Sequence, residues 1–253
     1  MTDNNTFSIA VSGKGGVGKT NMSAMLVRQL CKKGSLLAID ADPDSNLSQA
    51  LGVQVEKSIG DCRENFAISA IGNPKTKEEV NKFGDDLPDI IKTTDNFDLI
   101  VMGRPEGEGC YCGINHIIRK VLDTKAKEYD FIVVDCEAGL EHLSRRTTRD
   151  ISLMIIVTDP STYGIIAARS IIDISNELLI NFGNIMLVAD KITEETKGNL
   201  DKLASENGLN IDAYIPYDEG IINLDVTGDS IFELPHNSKA LKAVEKLCNE
   251  ILS

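Results

Sequence analysis

Short, nearly unbroken apolar runs recur along this chain and alternate with longer stretches in which apolar residues return every three or four positions. The runs FSIAVS (7–12), SLLAID (35–40), FDLIVMG (97–103), DFIVVD (130–135), ISLMIIVT (151–158), NIMLVAD (184–190) and LNIDAYI (209–215) predict β-strands. Their apolar continuity is the pattern of parallel strands covered on both faces. Between them, 18–33, 113–127, 161–182 and 193–207 predict amphipathic helices. The ending SKALKAVEKLCNEIL predicts one more, with Ser238 as N-cap and an apolar stripe of Leu241, Val244, Leu247, Cys248 and Ile251. Alternation over the whole length predicts an α/β fold: a doubly wound, mostly parallel sheet flanked by helices. One domain over 1–253 is expected, with the irregular stretch 53–96 read as an insertion.

Directly after the first run comes GKGGVGKT, which fits G-x-x-x-x-G-K-[ST] in the strand-to-helix setting that pattern requires. Its glycines permit the backbone turns and close approaches that let N–H groups point at phosphate oxygens. The expected nucleotide-binding run is Gly13, Lys14, Gly15, Gly16, Val17, Gly18, Lys19, Thr20 and Asn21. A helix starting near Gly18 adds the positive end of its dipole. Lys19 is expected to bridge the β- and γ-phosphates, and Thr20 to ligate Mg²⁺. DADPDSN (40–46) follows the second strand, with Asp40 supporting Mg²⁺ through its water shell and Asp42 beside the phosphates. Asp135, at the end of DFIVVD, takes the place of a Walker B aspartate behind Mg²⁺. The next residues, CEAGLEHLSR, read as a switch segment with Gly139 as its pivot.

Charge narrows the partners. Asp and Glu number 39 against 26 Lys and Arg, a formal net charge of −13. Such a field repels nucleic-acid phosphates and anionic lipids, so neither a nucleic acid nor a membrane is an expected partner. No apolar run approaches the roughly 20 residues that span a bilayer, and the N-terminus has no signal-peptide pattern. A cytoplasmic location is expected, with the six cysteines as reduced thiols.

Lys14 is a second lysine inside the phosphate loop, and with it GKGGVGKT resembles the deviant Walker A motif of the dimerising ATPases MinD, ParA, ArsA and the nitrogenase iron protein. That resemblance implies a nucleotide-dependent homodimer in which Lys14 reaches the partner's nucleotide. It also makes Asp42 the residue that positions the attacking water, so Lys14, Lys19 and Asp42 form the implied catalytic set. The superfamily carries Asn-Lys or Asn-Arg after a late strand, the Asn pairing with adenine. Here LVADKI places Asp190 and Lys191 there. A carboxylate accepts from the adenine amino group but cannot donate to N7, and it equally suits guanine. ATP is the nucleotide the resemblance implies, and IPYDE, with Pro216, fits the adenine-side loop.

GRPEGEGCYCGINH (103–116) carries Cys110 and Cys112 in a glycine-rich setting before a predicted helix. One chain supplies two thiolates, whereas a closed tetrahedral site for a soft metal needs four. A two-fold homodimer supplies the other pair, with the metal on the symmetry axis. Cys31, Cys62, Cys136 and Cys248 are expected to pack, and His116 and His142 are left out of the ligand set. The deviant loop, DADPDSN, CYC and AGLEHLSR in this order resemble the CooC-type nickel-insertion ATPases, including the AcsF relatives that act on acetyl-CoA synthase. The resemblance implies Ni²⁺ or Zn²⁺ at a four-cysteine site shared across the dimer, and apo carbon monoxide dehydrogenase or acetyl-CoA synthase as client. A MinD- or ParA-like positioning ATPase and an iron–sulfur reductase like the nitrogenase iron protein are the alternatives.

Overall fold

The computed structural model describes residues 6–61, 90–103, 125–137, 151–177 and 182–253. Among these residues eight strands form one sheet in the order β3-β4-β2-β5-β1-β6-β7-β8. They are β1 (Phe7–Gly13), β2 (Leu36–Ala41), β3 (Lys92–Thr93), β4 (Asp98–Val101), β5 (Phe131–Cys136), β6 (Ile151–Thr158), β7 (Phe182–Ile192) and β8 (Ala213–Pro216). Every pairing is parallel except that of β3 with β4. Among the described residues six helices accompany them: α1 (Lys19–Leu30), α2 (Asn46–Ala50), α3 (Thr162–Glu177), α4 (Glu194–Glu206), α5 (Glu219–Thr227) and α6 (Lys239–Ile251).

The unbroken apolar runs are explained by burial on two sides. Successive side chains of a strand point to opposite faces, and here both faces are core. Ile9, Val11, Val133 and Ile155 pack with Met22 and Leu26 of α1 and Val244 and Leu247 of α6. Ala10, Val134 and Ile156 face the other way, towards Ile165 and Ala168 of α3 and Leu200 and Ala204 of α4. The central strand β1 lies between β5 and β6, with Val11 opposite Asp135 on one side and Gly13 opposite Val157 on the other.

The structure corrects several sequence expectations. Strand β8 begins at Ala213, not at Leu209; just before it, Asp212 donates its N–H to the Leu187 carbonyl at 2.9 Å and accepts the Leu187 N–H on its side chain at 2.7 Å. Phe182, the last residue of the predicted helix 161–182, belongs instead to β7; α3 is described to Glu177, and 178–181 lie outside the described residues. The two-residue edge strand β3, helix α2 and helix α5 were not foreseen. For α5 the end signals were present: Asp218 caps its first turn and Gly228, at φ 76°, ends it. Most of the predicted helix 113–127, much of the 53–96 insertion, Cys62, Cys110, Cys112, Gly139 and His142 lie outside the described residues. Cys136 and Cys248 are buried and Cys31 is partly so. Among the described residues, no helix is long and apolar enough to cross a membrane.

The C-terminal third is tied to α1 by polar contacts. Buried Arg28 donates from Nη1 to the carbonyls of Ile231 (2.5 Å) and Leu234 (2.7 Å). Asp218 joins two helix N-termini: Oδ1 accepts from Gly220 N (2.9 Å), and Oδ2 from Ser238 Oγ (2.7 Å), Lys239 N (2.9 Å) and Ala240 N (3.3 Å). Burial alone pushes this carboxyl up, but those hydrogen bonds together outweigh it and hold it below its ordinary value. A depressed carboxyl stabilises the fold above its unfolded-state pKa of about 4, and that contribution is lost as pH falls through the folded value. Asp218→Ala is therefore expected to cost about 2 kcal/mol at neutral pH. Its stability, measured by urea unfolding, falls less steeply below pH 4 than that of the wild type.

Candidate nucleotide site

The phosphate loop leaves β1 at Gly13 and enters α1 at Lys19. Gly13 has φ 151°, and a Cβ there would collide with the carbonyl oxygen of Val157 in β6. Gly18, the residue before α1, has φ 102°, and a Cβ there would collide with Oδ2 of Asp190. Lys14 is exposed, whereas Lys19 is only 8% exposed and donates from Nζ to the Lys14 carbonyl at 3.3 Å.

Strands β2 and β5 are adjacent and parallel, with Asp40 directly opposite Asp135. Both carboxyls are buried at the ends of their strands nearest the loop. Asp135 accepts from Thr20 Oγ1 at 2.8 Å and from Ser23 Oγ at 2.9 Å. Ser23 was not singled out from the sequence, although it lies one helical turn beyond Thr20 on the same face of α1. Asp40 uses both oxygens on the next loop: Oδ1 accepts from Asp42 N at 3.2 Å and Oδ2 from Leu47 N at 3.0 Å. Burial pushes Asp40 up to about 7, aided by the neighbouring Asp135 charge. Burial likewise pushes Asp135 up to about 6, against the hydroxyls of Thr20 and Ser23 and the charge of Lys19.

Of these residues Lys19, Thr20 and Asp42 border a cleft of about 470 Å³. One wall is the loop and first turn of α1, from Gly15 to Asn21. A second carries Asp42, Asp44, Asn46 and Gln49, and a third Leu224, Asp225, Gly228 and Asp229 at the end of α5. Asn21 Nδ2 donates to Asp225 Oδ2 at 3.1 Å, joining the loop to α5. Pro216 closes β8 opposite Ile192 and is not part of the cleft wall.

Lys191 completes the wall. The β7–β8 register shifts between Ala189 and Ile192, and within that irregularity Lys191 adopts φ 60°. A non-glycine residue there costs about 1–2 kcal/mol. Its Nζ donates to the Gly16 carbonyl at 2.8 Å, and its N–H to Asp190 Oδ1 at 2.8 Å. Asp190 itself is only 6% exposed and lies against Gly18, off the cleft wall. Burial pushes its carboxyl up to about 6, against its hydrogen bond from the Lys191 N–H and the Lys191 charge. Among the described residues, no group of three His, Cys, Asp or Glu side chains is placed to hold a metal ion.

The geometry thus joins Gly15, Gly16, Gly18, Lys19, Thr20, Asn21, Asp42 and Lys191 around one cleft, with Asp40 and Asp135 beneath it. The AAA domain family matches the chain over residues 6–181. An uncharacterized ATP-binding protein of Methanocaldococcus jannaschii is 44% identical, over 97% of this chain and 98% of that one. The carbon monoxide dehydrogenase accessory protein CooC of Rhodospirillum rubrum is 33% identical, over 89% of each chain. The crystal structure of a ParA family ATPase from Chlorobium tepidum superposes with a TM-score of 0.75 at 19% identity, covering 96% of this chain and 99% of that one. The chain therefore belongs to the AAA domain family, as an ATPase with the fold of the ParA structure and a homologue of CooC.

Proposed function

We propose that this ATPase carries nickel and delivers it to the active-site cluster of apo carbon monoxide dehydrogenase. The similarity to CooC over 89% of both chains, joined to the C-Y-C sequence at 110–112, carries this reading. An AcsF-type role on acetyl-CoA synthase is the alternative client.

In this reading Lys19 bridges the β- and γ-phosphates and exposed Lys14 reaches the nucleotide of a second copy. Asp42 holds the attacking water, and Asp40 supports that task by accepting the Asp42 and Leu47 N–H groups. Thr20, Asp135 and Asp40 form an oxygen-only donor set that suits Mg²⁺, directly or through its waters. Buried carboxyls pushed to about 6 and 7 are a setting in which a divalent cation offsets a desolvation cost. When bound, Mg²⁺ would neutralise charge on the phosphates. Cys110 and Cys112 of two copies supply four thiolates to the cargo, which accept either nickel or zinc.

The test is anaerobic titration with Ni²⁺ and Zn²⁺, with and without ATP. Cys110→Ser combined with Cys112→Ser is expected to abolish stoichiometric metal binding and leave the ATP Kd within about twofold. Metal retained by the double variant would refute the carrier reading. Reactivation of apo carbon monoxide dehydrogenase against apo acetyl-CoA synthase by the loaded protein separates the two clients.

A further inference from the structure

We propose that Lys191 is a positioning residue for the phosphate loop: its ammonium holds the Gly16 carbonyl and so keeps the Gly16–Val17 peptide of the loop in one orientation. The proposal rests on nucleotide occupying this cleft, and it gives the residue after Asp190 a task other than reading the base.

The Nζ–O distance from Lys191 to the Gly16 carbonyl is 2.8 Å. No described peptide is cis, and in a planar trans peptide the C=O of one residue and the N–H of the next point in opposite directions. A cation that holds the Gly16 carbonyl on its own side therefore turns the Val17 N–H to the other. Lys19 makes a comparable but longer contact, 3.3 Å, to the Lys14 carbonyl. Lys19 is the lysine expected to turn to the phosphates when they arrive, which leaves Lys191 as the cation that keeps the loop in shape.

The surrounding backbone is arranged for that reach. The register shift of β7 against β8 lets Lys191 leave the ladder, and φ 60° directs it at the loop. Asp190 fixes this unusual turn from one side by accepting the Lys191 N–H at 2.8 Å. From the other side its Oδ2 lies so close to Gly18 that no Cβ fits between them. Asp190 and Lys191 together thus meet the loop at two of its glycines, 16 and 18.

Inorganic tripolyphosphate separates this role from base recognition, since it offers phosphates and no base. Lys191→Met is expected to weaken Mg²⁺-tripolyphosphate and Mg²⁺-ATP by the same factor, about tenfold, as the loss of one charged hydrogen bond requires. Lys191→Gly removes the ammonium but suits φ 60°, so it should show the same loss; Lys191→Arg should recover most of the affinity. The unliganded melting temperature of Lys191→Met should stay within about 2 °C of wild type, as for other exposed substitutions. Tripolyphosphate binding unchanged in Lys191→Met while ATP weakens would overturn the proposal in favour of base contact. Normal tripolyphosphate affinity in Lys191→Gly would overturn it too, by assigning the effect to backbone strain. Failure of the wild type to bind either ligand would instead count against nucleotide occupancy of the cleft.

Discussion

Lys19→Ala is expected to lower the rate of ATP hydrolysis by about a thousandfold while the protein stays folded. Phosphoryl transfer asks little of a protein beyond positioning and charge compensation, so a preorganised cation at the phosphates accounts for a large share of the barrier reduction. Lys19 is the first residue of α1, only 8% exposed, and already lies across the loop on the Lys14 carbonyl. It is also the cation whose charge holds the Asp135 carboxyl down against burial. Removing it deletes the phosphate contact and disfavours the ionised Asp135 that accepts from Thr20. Steady-state turnover with saturating Mg²⁺-ATP checks the first effect, and urea unfolding the survival of the fold. Arginine is not a substitute, because its planar fork does not fit where a compact ammonium fits. Turnover within tenfold of wild type in Lys19→Ala would remove this lysine from the chemistry.

The largest loss of stability is expected from Gly13→Ala, about 3 kcal/mol or more. The obstacle is the backbone carbonyl of Val157, held in β6 directly opposite Gly13. No rotamer change relieves a clash with a central-strand carbonyl, and φ 151° is itself unfavourable for an L side chain. Gly15→Ala, two residues on, makes the comparison: a Cβ there meets nothing within 4 Å. Its stability should stay within about 0.5 kcal/mol of wild type. Chemical denaturation of both variants in the absence of nucleotide decides the matter. Equal stability of the two would mean that the β1–β6 junction gives way to a methyl group.

The strands were legible because their burial is two-sided, which leaves runs such as FSIAVS and DFIVVD without polar interruptions. Helix α6 was legible for the opposite reason, a one-sided stripe from Leu241 to Cys248 behind a serine cap. Helix α5 escaped the same reading because none of its residues is buried: Ile222 and Val226 are exposed and Leu224 turns to the cleft. Only Ile221 and Leu224 of this helix, both partly buried, pack against the core, which is too short a face for periodicity to stand out. Its caps, Asp218 and Gly228, were the signal available.

At the site, the residue types and their order were determined by the sequence alone. GKGGVGKT requires glycines and a lysine at fixed spacing wherever it occurs, since that spacing is local backbone geometry at the end of one strand. The two cysteines of CYC are likewise a local fact. What only the tertiary structure decided are the meetings between segments far apart in the chain. Asp40 faces Asp135 because β2 and β5 pair in one register, and a shift of one residue would send each side chain to the opposite face. Lys191 reaches Gly16 because an irregularity between β7 and β8 frees it from the ladder. Both depend on strand register, which is set by the packing of the whole sheet and by no short stretch of residues.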